Sequence, residues 1–305
     1  MAVALYTHPD MLIHTPPGRH AERPARLAAV SEALAASGLD LEPREAPFVA
    51  REDLLRVHDE SYVAAIEAAS PSSGVAQLDP DTFMSAGSLT AARRAAGAAV
   101  AAARSVASGD IQRAFCAVRP PGHHSGPGFA MGFCIFSNVA LAARAARAGG
   151  LARVAIADFD VHHGNGTQAV FEADPTVLFA SVHQSPLYPG TGDPSETGAG
   201  NIVNAVVAPD SPREAWRRAF EGLVDRIDAF EPDLLLISAG FDAHARDPLA
   251  NQRLEAEDFA WATRALVSVA ERRCAGRIVS SLEGGYDLEG LAASATAHVK
   301  ALEGR

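Results

Sequence analysis

Asp158, Asp160 and His162 in the run DFDVHHG carry three side chains that bind metals, spaced by two. In extended chain that spacing puts all three on one face. Asp160 and His162 can then reach a single ion, and Asp242, from the distant run SAGFDAH, can close the set. Two carboxylates and one imidazole leave a four-coordinate ion one open position, which is the arrangement of a catalytic site. The set contains no thiolate, so zinc suits it and ferrous iron is a second candidate. By spacing alone, a DxH at a strand end also reads as a cap or a satisfied loop polar. The tandem His123-His124 and the distant Asp242 shift the reading towards a metal.

His123-His124 follow Pro120-Pro121-Gly122, a rigid entry that fixes the loop. Adjacent histidines can be two ligands, two acid/base groups, or a solvated pair with one member capping a helix. Asp158 lies one step behind Asp160 on the ligand face, placed to accept an imidazole N–H and so orient a general base. Tyr286 follows Gly284-Gly285, whose permissive backbone can aim the phenol inward as a donor to a developing oxyanion. The alternative for Tyr286 is a half-buried ring with its hydroxyl in water. Asn165 either orients a histidine or holds the Gly-rich turn. His163 reads as a turn residue, His58 as a core or cap residue, and Cys134 as a small buried hydrophobe. The sequence has no GxGxxG, Walker A, GxSxG or HExxH run, which removes the usual support for nucleotide, serine-hydrolase and zincin chemistry.

These polar loops each follow a short, uniformly apolar run: Arg113–Val118, Arg153–Ala157, Asp233–Ser238 and Arg277–Leu282, with Thr176–Val182 a fifth run of the same kind. Such runs suit strands buried on both faces of a parallel sheet. Helical stretches lie between them, at Ser85–Ser108, Ser137–Ala148, Pro212–Phe230 and Glu257–Arg273. Strand and helix in alternation predict an α/β fold with right-handed crossovers. Ligands of open α/β sheets bind at the carboxyl ends of the strands, so four loops far apart in sequence should meet in one crevice. No repeat or linker-like tract divides the chain, and residues 1–305 read as one domain.

The 305 residues are 48% hydrophobic and carry a formal net charge of -11, enough for a large core and against a phosphate-backbone partner. The scattered Cys116, Cys134 and Cys274 form no CxxC, which argues against a disulfide scaffold and fits a reducing compartment. Met1–His14 lacks a basic region followed by a long apolar one, and no apolar run reaches the roughly 20 residues of a membrane span. The expectation is a soluble, cytoplasmic protein without direct nucleic-acid or membrane partners.

Taken together, RPPGHHSGPGFAMGFCIFSN, DFDVHHGNGTQ, HQSPLYPGTGD, SAGFDAHARDPL and LEGGYD resemble the histone deacetylase superfamily, in order and over nearly the whole chain from HAERPARL onwards. HHGNGTQ and GFDAHxxDPL look most like the class II branch and its bacterial relatives, which include acetylpolyamine amidohydrolases. The resemblance implies the arginase–deacetylase fold, with a central eight-stranded parallel sheet flanked by helices. It implies a zinc on Asp160, His162 and Asp242, His124 as general base and acid, His123 as electrostatic partner, and Tyr286 polarising the scissile carbonyl. It places Phe133, with Gly132 before it, and Tyr188 along the acyl-lysine tunnel, Leu249 at its rim, and Arg26 on an internal channel for acetate. It also implies a structural potassium near Asp158, Asp160, His162, Ser181 and Val182. Asn165 stands where class I members carry aspartate, and Tyr188 where phenylalanine is more usual. Gly164 stands where arginases have a second carboxylate, which argues against a binuclear ureohydrolase.

The function expected is therefore zinc-dependent removal of acetyl or a similar short acyl group from acylated lysine or a small acylated amine. An acetylpolyamine amidohydrolase is the alternative; the apolar Leu249 argues against it, and Asp79 and Asp81 either attract a cationic substrate or build a turn. A catalytically silent binding module is the third reading. The oligomeric state is open.

Overall fold

The apolar runs form the centre of the sheet in a computed structural model that describes residues 2–304. They are β5 (Arg113–Cys116), β6 (Val154–Asp158), β7 (Val177–Gln184), β9 (Leu234–Ala239) and β10 (Ile278–Leu282), and every residue in them is buried. With β1 (Val3–Thr7), β2 (Leu41–Glu45) and β8 (Ile202–Val207) they make one eight-stranded sheet, ordered β2-β1-β5-β10-β9-β6-β7-β8 and parallel throughout. β1, β2 and β8 lie towards the edges, where part of each strand faces solvent, so they lack the uniform apolar signature of the centre. The outermost β2 reads LEPRE, and its charges and proline blunt the edge against pairing.

A sheet buried on both faces needs helices on both. α4 (Ser88–Ser108) and α5 (Asn138–Ala148) pack on each other and on the central strands. Their buried stripes are mostly alanine, including Ala92, Ala95, Ala99, Ala140 and Ala143, which lets the helices approach closely. α1 (Pro24–Ala36), α9 (Leu288–Glu303), α8 (Ala256–Arg273) and α7 (Arg213–Phe230) pack in a row, each on the next. α4 begins three residues later than Ser85, because Ser85 ends a strand and donates its N–H to Ser88 Oγ at 2.7 Å. The short helices are α2 (Arg51–Leu54), α3 (Glu60–Ala69) and α6 (Asn165–Phe171).

A hairpin of β3 (Val75–Asp79) and β4 (Thr82–Ser85) stands apart from the sheet and turns at Pro80-Asp81; nothing in the apolar pattern predicts it. The feature that matters most for function is strand order. β5, β10, β9 and β6 are consecutive neighbours at the middle of the sheet. The loops that leave their carboxyl ends are the four polar loops.

Candidate active site

β6 ends at Asp158, and the chain turns so that each acidic side chain binds a backbone N–H two residues on. Asp158 Oδ1 accepts from Asp160 N at 3.1 Å, and Asp160 Oδ1 accepts from His162 N at 2.9 Å. The neighbouring loop after β9 brings Asp242, whose Oδ1 accepts from Val161 N at 2.8 Å. The loop after β10 brings Gly284 N to Asp160 Oδ2 at 2.8 Å. Only glycine fits there: a Cβ on Gly284 would lie 2.1 Å from Asp242 Oδ2.

Asp160, His162 and Asp242 present ligand atoms all within 4.8 Å of one another, and all three residues are buried. His162 Nδ1 sits 3.0 Å from Asp160 Oδ1 and 3.1 Å from Asp242 Oδ2. Ligands about 2.1 Å from a tetrahedral zinc lie about 3.4 Å apart, so the cluster needs little adjustment to hold one. Burial alone would depress the His162 pKa, but hydrogen bonds to Asp160 and Asp242 lift it to about 10. Burial and the charge of Asp160 push the Asp242 carboxyl up. A buried cluster with these tendencies favours an added positive charge, and its oxygen and nitrogen donors fit a divalent ion.

The loop after β5 delivers the two histidines, with ring centroids 4.0 Å apart and very different partners. His123 Nδ1 faces Asp158 Oδ2 at 3.1 Å. Burial opposes its protonation, yet the Asp160 and Asp158 carboxylates raise its pKa to about 10. His124 Nδ1 faces Asn165 Oδ1 at 2.7 Å, in the first turn of α6. The Asn165 amide nitrogen points at Met131 Sδ, 3.2 Å away, so it is the oxygen that faces His124. An amide oxygen only accepts; Nδ1 therefore carries the proton and Nε2 keeps its lone pair. Burial, then repulsion from His123 and His162, holds the His124 pKa well below its usual 6.5.

Tyr286 lies on the loop after β10, beyond Gly285, whose φ of +119° turns the chain. Burial keeps the phenol protonated far above its ordinary range, so it is a donor at neutral pH. The backbone N–H of Tyr286 is held by Asp247 Oδ2 at 2.7 Å, and Asp247 Oδ1 accepts from Leu249 N at 3.0 Å. One carboxylate thus ties the Tyr286 backbone to that of Leu249 at the rim. Arg26 does not line the slot described below. It is fully buried behind Tyr286, with its guanidinium 4.8 Å from the ring centroid, and it donates to Gly285 O at 2.6 Å and Glu283 O at 2.5 Å.

These groups open on a slot of about 190 Å³ lined by His124, His162 and Tyr286, with Gly132, Phe133, Leu187, Tyr188, Leu249 and Asp81. Phe133 packs edge-on against Tyr286 at 5.8 Å and Tyr188 against His124 at 5.4 Å, so each ring stands against a different polar group of the slot. Gly132 and Phe133 both have positive φ, +56° and +69°. A Cβ on Gly132 would come within 2.2 Å of His124 Cδ2. The unexpected hairpin holds this turn: Asp81 Oδ1 accepts from Gly132 N and Thr82 Oγ1 from Phe133 N, each at 3.0 Å. Asp81 therefore both builds a turn and lines the slot.

Three further residues position the site and carried no signal in the spacing of the motifs. Glu283 Oε2 accepts from Gly122 N at 2.6 Å and His123 N at 3.1 Å, and burial raises its pKa to about 7. Glu22 takes Arg119 through both carboxylate oxygens, at 2.5 and 2.7 Å, beneath the N-terminal loop. Asp247 is the third. His58 braces the loop of residues 120–137, with Nδ1 donating to Gly126 O at 2.9 Å and Nε2 accepting from Ser137 N at 3.1 Å. His163 bonds Thr191 and Gln168 rather than the ligand cluster, and Cys134 is buried.

The model for the histone deacetylase domain matches residues 20–302. The chain belongs to the histone deacetylase family. It is 39% identical to a probable deacetylase of Archaeoglobus fulgidus over 95% of this chain and 83% of that one. It is 41% identical to a histone deacetylase-like amidohydrolase of Pseudomonas aeruginosa over 88% of this chain and 72% of that one. The crystal structure of the HDA15 HD domain superposes with a TM-score of 0.93 at 36% identity, covering 99% of this chain and 91% of that one. The eight-stranded arginase–deacetylase architecture and hydrolase chemistry of the deacetylase kind follow for this histone deacetylase family member. No helix among the described residues is long and apolar enough to cross a membrane.

Proposed function

We propose that this histone deacetylase family member hydrolyses the acetyl or similar short acyl amide of an acylated lysine or related amine, with zinc held by Asp160, His162 and Asp242. The observation that carries this reading is the pair of groups facing one slot above the ligand cluster: a neutral imidazole with its free lone pair on His124, and the protonated phenol of Tyr286. A divalent ion on the three ligands would supply Lewis acidity at the amide carbonyl and a lowered pKa for water. His124 Nε2 accepts the proton of the attacking water. Tyr286 donates its O–H to the carbonyl oxygen as charge develops there. The proton on His124 then passes to the nitrogen, because a neutral amine leaves far more readily than an amide anion. His123 stays protonated against Asp158 and adds positive potential without giving up its proton.

Phe133 and Tyr188 accept a methylene stem and exclude bulk. Ferrous iron fits the same donors, and reconstitution with each metal distinguishes them. The potassium expected around Asp158, Asp160, His162, Ser181 and Val182 belongs to this proposal; there the ends of β6 and β7 are buried and Asp158 is in register with Ser181. A second reading, acetylpolyamine hydrolysis, is favoured by the Asp81 carboxylate on the slot wall.

The test compares zinc-loaded protein on an acetyl-lysine peptide, acetylputrescine and acetylspermidine, with a chelated control. Hydrolysis that the chelator abolishes is the expected result. Folded, zinc-loaded protein that hydrolyses none of the three would overturn the proposal in favour of a silent binding module.

A further inference from the structure

Beside the slot lies a second and larger cavity that the chemistry above does not use. It is a groove of about 650 Å³ whose lining includes Arg19, His20, Arg23, Pro248 and Tyr286. The wall between the two cavities is shared. Tyr286 lines both, Pro248 immediately precedes the rim residue Leu249, and His20 packs edge-on against Phe133 with centroids 4.7 Å apart. A group emerging from the slot mouth on this side therefore meets the groove.

Arg19 and Arg23 are exposed, and among the described residues neither forms an ion pair or a side-chain hydrogen bond. The acid nearest to them in sequence, Glu22, is fully buried and turned inward onto Arg119 and Arg26. Both ring nitrogens of His20 are occupied by carbonyl oxygens, those of Glu22 at 3.0 Å and Asp81 at 3.1 Å. Other surface arginines on this acidic chain have found carboxylates: Arg44 pairs with Glu42 and Asp110, and Arg273 with Asp228 and Glu231. Two guanidiniums without an ion-pair partner among the described residues, at one groove that opens beside the slot, are suited to a carboxylate brought by a ligand.

We propose that the groove is a carboxylate subsite. Arg19 and Arg23 receive a negative charge that the substrate carries just beyond its acylated methylene stem. The substrate class is then an Nε-acyl-lysine whose α-carboxylate is free, or one followed by an acidic residue. An acylated polyamine, with further ammonium groups in place of the carboxylate, is disfavoured by the same two cations. This inference rests on the deacylation reading above and narrows its substrate.

The experiment uses zinc-loaded protein, parent and Arg19→Gln/Arg23→Gln, on three substrates of equal stem: Nε-acetyl-lysine, its carboxamide, and acetylcadaverine, which lacks the carboxyl carbon. In the parent, kcat/KM for the acid should exceed that for the carboxamide by roughly fivefold to tenfold, the range that two exposed ion pairs support. The ratio should fall towards one in the double variant and in about 0.5 M salt, and the acid's advantage over acetylcadaverine should shrink with it. A peptide amide with aspartate after acetyl-lysine separates the two carboxylate sources: an advantage that the double variant removes assigns the side-chain source, and no advantage assigns the α-carboxylate. A parent that does not distinguish acid from carboxamide, or a ratio that survives in the double variant, overturns the subsite. Equilibrium binding of acid and carboxamide to zinc-loaded Tyr286→Phe reads the groove without turnover. Preferential binding of the acid with no hydrolysis by the parent would overturn the deacylation reading and leave the subsite standing. Hydrolysis without preference would do the reverse.

Discussion

At the floor of the slot, Asp158, Asp160 and Asp242 are fully buried, and each of their carboxylate oxygens faces a backbone N–H or an imidazole. At the mouth, Tyr188 is 39% and Leu249 36% exposed, and on the adjoining groove the Arg19 and Arg23 side chains form no ion pair or hydrogen bond among the described residues. These three carboxylates of the floor come from the ends of two adjacent, fully buried strands, β6 and β9. The mouth hangs on loops and the hairpin. On the function proposed above, the reacting groups would sit on buried strand ends and the groups that meet the substrate on exposed loops. The two histidines repeat this contrast at close range. His123 is held by a carboxylate and kept charged; His124 is held by an amide and kept neutral.

If the floor behaves as one unit, its substitutions should cost far more than those at the mouth. Asp242→Ala is expected to abolish both stoichiometric zinc retention and turnover, read by metal analysis and rate on the same sample. Retention of zinc with the parental rate would break the comparison, because the ligand set would then not depend on the β9 loop. Tyr286→Phe leaves the ring to pack on Phe133 and over Arg26, so zinc and hydroxamate binding should persist. The lost donor should lower kcat by roughly 10²–10³ with little change in KM. A rate within a few-fold of the parent would leave the oxyanion to the metal alone.

Asn165→Asp turns the His124 environment into a copy of the His123 one. A carboxylate facing Nδ1 favours the imidazolium, so the His124 pKa should rise, by about one unit or more. The base is active when neutral; in the parent its pKa lies below 6.5 and the rate should fall only as pH drops beneath that value. In the variant the acid limb of kcat/KM should move to higher pH. An unmoved limb would mean that another group titrates. Tyr188→Phe removes the hydroxyl of a residue that is 39% exposed and should change KM by no more than a few-fold. A loss as large as that of Tyr286→Phe would place Tyr188 with the floor.

Glu22 shows most plainly what motif spacing does not reveal. It sits in the HAERP run, yet its partner is Arg119, 97 residues on, and the same carboxylate reaches Arg26. Burial works against its ionisation, but Arg119 and His14 hold its carboxyl far below the ordinary range. The stability it contributes is thus complete above about pH 4.5 and is lost only as pH falls towards the folded value. Asp247 and Glu283 were missed for the same reason, since both act on backbone N–H groups of other loops. The β3–β4 hairpin escapes the apolar pattern because β3 is largely solvent-facing and β4 only four residues long, although the hairpin is what holds Gly132 and Phe133.

The sequence by itself determined the chemistry-bearing side chains, the apolar runs that precede them and the glycines their close packing needs. These are local properties: the period of a strand, the donors on a side chain, the space a missing Cβ leaves. Only the tertiary structure decided that β5, β10, β9 and β6 lie side by side, that His123 takes the aspartate while His124 takes the asparagine, and that Arg26 locks a loop 259 residues away. Strand order and partner choice depend on which distant segments share the core, and side chains of the same type compete for the same partners until packing assigns them.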